Sequence, residues 1–159
     1  MYCQFILIVL FVLKATLAFS AKIYFNEMLS YEITTETTFS DKTKYQTFKV
    51  KGGVTFSTGV YAIKHCSGDR SMKEGNLINL KSICKVNISD GETIWTKVSG
   101  KDRYVAKGTG VFEIIDGTGN YTSLIGNKCN YALNIYNEII FAKGVCEVED
   151  DVYKNLIIQ

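Results

Sequence analysis

The stretch "GTGVFEIIDGTGNYTSLIG", residues 108–126, decides how the chain is read. Two Gly-Thr-Gly triplets, 108–110 and 117–119, flank an apolar run. Such glycines either cradle a phosphate or make the tight turns of a small β-barrel. A phosphate loop requires a strand, then glycines, then a helix whose N-terminus faces the anion. Neither triplet is followed by a helical pattern, and no Lys-Ser or Lys-Thr stands in the P-loop position. The triplets are therefore expected to be hairpin turns and bulges, where glycine supplies positive φ.

Working outward, the period is two. In "SYEITTETTF" (30–39), Tyr31, Ile33, Thr35, Thr37 and Phe39 share one face, and Ser30, Glu32, Thr34, Glu36 and Thr38 the other, the pattern of a half-solvated strand. "SDKTK" (40–44) reads as a turn and "YQTFKV" (45–50) as a strand stopped by Gly52-Gly53. "VTFSTGVYAIKHC" (54–66) reads as one long strand, with Gly59 at a bulge or bend. "SICKVNIS" (82–89) alternates again, and Asp90-Gly91 is a hairpin turn before "ETIWTKVS" (92–99). "RYVAK", "GVFEII", "NYTSLI", "CNYALNIY" and "IIFAKGVCEVE" follow, each bounded by Gly, Asn or Asp, and the tail "VYKNLIIQ" is ambiguous. Strands at roughly ten-residue spacing make a sandwich or a barrel. The expected fold is all-β, a single antiparallel barrel of about eight strands.

The 159 residues suit one domain with a real core, and a net charge of +2 creates no field that draws nucleic acid. Lysines are scattered along the chain, so nucleic acid is not an expected partner. "FILIVLFVL" (Phe5–Leu13) is a nine-residue apolar core, too short to span a bilayer, followed by the small residues of "KATLAFSA". Residues 1–20 read as a signal peptide cleaved before Ala21, or alternatively before Phe19, and 21–159 as the barrel domain; an uncleaved anchor is the other reading. The mature chain would carry no integral membrane span and would be exported, periplasmic or extracellular.

Removing the leader removes Cys3 and leaves Cys66, Cys84, Cys129 and Cys146, an even number that reads as two disulfides. The spacing lacks the CxxC of a zinc site, so no metal is expected. Cys66 and Cys84 are symmetric about Gly75, and Cys129 and Cys146 about Asn137-Glu138. Folding either hairpin sets its two cysteines opposite each other, so the expected pairs are 66–84 and 129–146.

Residues 107–127, "KGTGVFEIIDGTGNYTSLIGN", resemble the glycine-punctuated strand pair of the allene oxide cyclase and dirigent-type barrels, a calycin-like class. Within that class the chain is most similar to small exported bacterial proteins. Cys66-Ser67-Gly68, then Cys84, then Asp90-Gly91-Glu92, then Gly117-Thr118-Gly119-Asn120-Tyr121 carry the likeness, which covers about residues 54–148. It implies a calycin-like barrel and, in bacteria, no modification of the sequons at Asn87 and Asn120. Allene oxide cyclases use a proline-containing pocket and this chain has no proline, so no catalytic residue or cofactor is carried over.

His65 is the sole histidine, and with Cys66 it would form a dyad only if two strand neighbours shared a face. Glu113 is a buried acid if Val111 and Ile115 point inward, and a solvated one if Phe112 and Ile114 do. Tyr61, Trp95, Phe112, Glu113, Tyr121 and Tyr131 are the candidates to line a pocket for a small apolar ligand, or, for the aromatic ones, simply to fill the barrel. Three functions follow: a ligand-binding barrel, a cyclase-type enzyme acting on a hydrophobic substrate, and an interaction protein with a solid barrel.

Overall fold

A computed structural model describes residues 20–157, except 101–102 and 105–106. The expected leader lies outside the described residues but for Ser20. Nine strands form one sheet: β1 (Ser20–Thr38), β2 (Lys44–Phe56), β3 (Tyr61–Lys73), β4 (Asn76–Ile88), β5 (Thr93–Gly100), β6 (Arg103–Tyr104), β7 (Lys107–Gly117), β8 (Lys128–Tyr136) and β9 (Ile139–Glu149). The two-residue β6 continues the line of β5 along β4. Setting it aside, each strand pairs antiparallel with its successor, and β9 returns to β1, so eight strands close a barrel. A closed meander leaves no unpaired edge.

Local chemistry sets the hairpins. β3 and β4 turn at Glu74-Gly75, and β8 and β9 at Asn137-Glu138, with positive φ at all four residues. Such turns match the right-handed twist of the strands they join. From Asn137-Glu138 the register runs straight to Cys129 opposite Cys146. From Glu74-Gly75 it would miss by one residue, but a bulge at Ile78 restores it, and Cys66 stands opposite Cys84. Both disulfides form, with Cα atoms 3.9 and 4.3 Å apart.

Four sequence expectations need correction. β2 does not stop at Gly52-Gly53. A Cβ on Gly52 would lie 2.2 Å from the Met28 carbonyl oxygen, so glycine there lets β2 press against β1 within the strand. The strand expected over 54–66 is broken by the turn 57–60, where Gly59 has φ +91°. The triplet 108–110 lies inside β7 and is no turn; the second triplet does turn, leading from β7 into a 3₁₀ segment, Gly119–Leu124, where a strand was expected. The ambiguous tail is an α-helix, α1 (Asp150–Ile157), begun by Asp150 and Asp151, which suit a helix N-terminus.

The interior is apolar. Ile23, Phe25 and Leu29 from β1, Val50 and Val54 from β2, Val86 and Ile88 from β4, and Phe112 and Ile114 from β7 all point inward and are buried. Gly144 on β9 makes room for the Phe25 ring, whose Cζ would lie 2.3 Å from a Cβ there. Apart from the buried Lys64, the described lysines lie on the outer surface. Strand register gathers several of them: Lys51 and Lys85 flank His65 across β2, β3 and β4, and Lys49 and Lys97 lie in the adjoining row. Among the described residues no helix is long and apolar enough to cross a membrane.

Candidate ligand cavity

One end of the barrel is plugged. Tyr121 and Leu124 of the 3₁₀ segment and Leu156 of α1 are buried against Ile23, Ile94 and Ile114. The Tyr121 hydroxyl donates to Asp90 Oδ2 at 2.9 Å, which ties the plug to the β4–β5 turn. Burial, and then the bond to Asp90, raise the Tyr121 pKa. The folded protein thus holds the phenol proton more tightly than the unfolded chain does. Its stabilisation is full below about pH 10 and is lost as the pH rises through the folded value. Replacing Tyr121 by Phe is expected to cost about 1 kcal/mol at neutral pH and to flatten the stability loss above about pH 10. Urea unfolding of both proteins between pH 7 and 11 checks this; parallel curves would contradict it.

Toward the other end the barrel is hollow. A cavity of about 140 Å³ is walled by Leu29, Val50, Leu77, Leu80, Leu133 and Ile140, among others. Its lining becomes half-exposed at Tyr31, Phe48, Arg70, Leu80 and Leu133, which mark the mouth. A smaller space of about 50 Å³ lies above the plug, lined by Ile23, Val54, Thr96 and Leu156 among others. Phe25, Glu27, Lys64 and Phe112 border both spaces and form the partition between them. Phe112 packs at 5.5 Å from Phe25 and 6.3 Å from Tyr131, ring centre to ring centre.

Two polar groups interrupt this apolar wall. At the partition, Lys64 Nζ donates to Glu27 Oε1 at 2.6 Å, and both side chains are more than nine-tenths buried. Lys64 also sits 5.5 Å above the Phe112 ring. Nearby, the buried Thr96 Oγ1 has no hydrogen-bond partner among the described residues. At the mouth, Arg70 Nε donates to Gln46 Oε1 at 2.8 Å, and the Gln46 amide donates in turn to Glu36. Gln46 and Lys44 together hold the Glu36 carboxyl below its ordinary range. The rings of Tyr31 and Phe48 flank the guanidinium at 5.8 and 5.9 Å. Burial lowers the Arg70 pKa, Tyr31 and Glu36 oppose that, and an arginine so placed stays charged.

The six residues expected at a pocket divide evenly. Phe112 and Tyr131 line the main cavity, and Tyr121 lines the smaller one. Tyr61, Trp95 and Glu113 belong to the outer face. Tyr61 is 66% exposed. Trp95 alternates with the buried Ile94 and Thr96, and Lys85 lies over its ring. Glu113 faces out with the exposed Val111 and Ile115, between Lys97 and Lys128 on the neighbouring strands. Strand parity decides all three, since an inward Ala62, Ile94, Phe112 and Ile114 leave the adjacent side chains outside. His65 is exposed while Cys66 is inside and bonded to Cys84, so the two form no dyad. Glu27, Lys64, Gln46 and Arg70 are the residues that sequence reading missed. Each stands at the same parity as buried apolar neighbours, and a lone polar residue in such a row is the signal that would have found it.

Compared with models of known protein families, with curated proteins and with solved structures, the chain matches none.

Proposed function

We propose that this protein is an exported, calycin-like barrel that binds a small apolar or amphipathic molecule in the cavity. The observation that carries the reading is the apolar space of about 140 Å³, closed at its inner end by Phe25, Glu27, Lys64 and Phe112 in a barrel plugged beyond them by Tyr121, Leu124 and Leu156. Eight-stranded barrels are wide enough to hold one small ligand, and an engineered apolar cavity of about 150 Å³ takes up benzene. Two disulfides in so small a chain support folding in an oxidising compartment, which agrees with the leader read at residues 1–20. The buried Glu27–Lys64 pair favours a second reading, a cyclase-type enzyme that shapes a hydrophobic substrate around a polar group.

Toluene separates a binding cavity from an idle one. Methyl NMR is expected to show shifts at Leu80, Leu133 and Ile140 on titration, with Ile63 and Ile83 on the outer face unmoved. Leu133→Trp, which fills the cavity, is expected to abolish the response. No shift at millimolar toluene would overturn the reading. A ligand recovered chemically unchanged after incubation supports binding over catalysis.

A further inference from the structure

We propose that the natural ligand is a small amphipathic anion, its ring-sized or short-chain apolar part in the cavity and its carboxylate-like head on Arg70 at the mouth. This rests on the reading of the cavity as a ligand site and adds the charge and size of what it takes.

The charge follows from the lining. Four ionisable groups of fixed sign border the main cavity: Glu27, Lys64, Arg70 and Lys107. Glu27 and Lys64 lie 2.6 Å apart and cancel. Arg70 and Lys107 remain, and Glu36 beyond Gln46 is paired with Lys44 at 3.1 Å, so among the described residues the lining keeps a net positive charge. Among the described residues no carboxylate lies within ion-pair distance of Arg70; Glu36 bonds to the same Gln46 and acts on the guanidinium from farther off. A guanidinium has five N–H donors; one is committed to Gln46 and the Tyr31 hydroxyl also bonds to the group, which leaves donors to spare. Held by those bonds and flanked by two rings, the group is partly desolvated, oriented and, among the described residues, without a carboxylate paired directly to it. Those are the conditions under which arginine takes a carboxylate bidentately.

The orientation follows from the partition. A head group seated inward on Lys64 would stand beside Glu27 and bury an uncompensated negative charge. A cationic ligand would have Glu27 as its one acid in the cavity, and Lys64 already holds it. The head therefore stays at the mouth and the tail points toward Phe112 and Phe25. The length follows from the same wall, because the partition confines the tail to about 140 Å³, the space of one ring or a short chain.

The test uses the disulfide-bonded protein and three probes: 3-phenylpropionate, 3-phenylpropan-1-ol and toluene, each titrated calorimetrically. The acid is expected to bind at least about tenfold more tightly than the alcohol, by the strength of a charge-assisted bond. Added salt is expected to narrow that gap. Arg70→Met is expected to abolish the preference by weakening the acid far more than the alcohol. If Arg70→Met does not fold, Arg70→Lys keeps the charge and loses the fork, and is expected to weaken the acid several-fold and the alcohol less. Equal binding of acid and alcohol, a preference that survives in Arg70→Met, or an unchanged acid affinity in Arg70→Lys would overturn the proposal while toluene still binds. Failure of all three probes would overturn the cavity reading, and this proposal with it.

Discussion

With both disulfides reduced, the barrel is expected to lose about 6 kcal/mol of stability, about 3 kcal/mol for each loop in the chain-entropy model. The loops are similar, with sequence separations of 18 and 17. The sum is comparable with the whole stability of an ordinary domain, on the order of 5–15 kcal/mol. The reduced chain should therefore be marginal at room temperature. The four sulfurs sit among buried residues, Cys129 at 0% and Cys84 at 2% exposure, so reduction should require opening of the barrel. The two bridges are not equivalent in place. Cys146 lies opposite Ile23 on β1, in the seam where β9 closes the barrel, whereas Cys66–Cys84 staples a hairpin within the wall. Urea unfolding of oxidised protein, of reduced protein, and of the double variants C66A/C84A and C129A/C146A measures each share. A change below about 1 kcal/mol on reducing both bridges would contradict the model of a constrained unfolded chain.

The second large effect is at the partition. Lys64→Met leaves the Glu27 carboxylate more than nine-tenths buried with its ion-pair partner gone. Breaking a buried pair by removing one partner typically costs about 3–5 kcal/mol. Removing both partners is expected to behave oppositely. Glu27→Leu combined with Lys64→Met places two apolar side chains beside Phe25 and Phe112, and should restore stability to within about 1 kcal/mol of the native protein or above it. The double-mutant cycle therefore carries a large coupling energy, as it should for two groups in direct contact. Denaturant unfolding of the three variants gives it. A Lys64→Met protein of nearly native stability would mean that Glu27 is hydrated through the mouth, and the partition would not be the dry wall described above.

Much of this barrel was legible because the relevant signals are local. Alternation with period two is written into each strand, and Asp90-Gly91 and Asn137-Glu138 name their own turns. The symmetry of Cys129 and Cys146 about residues 137–138 needs only that turn to predict the bridge. Symmetry of Cys66 and Cys84 about Gly75 led to the right pair although the turn itself is centred half a residue earlier, because a bulge at Ile78 makes up the difference. The fold class and both disulfides therefore follow from short stretches read one at a time. The plug was not legible in the same way. "NYTSLI" has the composition of a strand, but it is held as a 3₁₀ segment by the barrel end that buries Tyr121 and Leu124.

Which side of each strand is inside was decided only by closure. Val111, Glu113 and Ile115 look as buriable as Phe112 and Ile114, and Tyr61 and Ile63 look more so than Ala62 and Lys64. In a closed sheet the concave face has room for one parity per strand, and that choice is made jointly by all eight. Hence Trp95, Tyr61 and Glu113 lie outside, while Glu27 and Lys64, 37 residues apart, meet within. Lysines scattered along the chain come into rows on the outer wall for the same reason. The sequence by itself determined the fold class, most of the strands, the hairpin turns at 90–91 and 137–138 and the cysteine pairs, since each depends on neighbours within a hairpin. The tertiary structure alone decided the cavity and its charges, since inside and outside are properties of the closed surface and not of any segment of it.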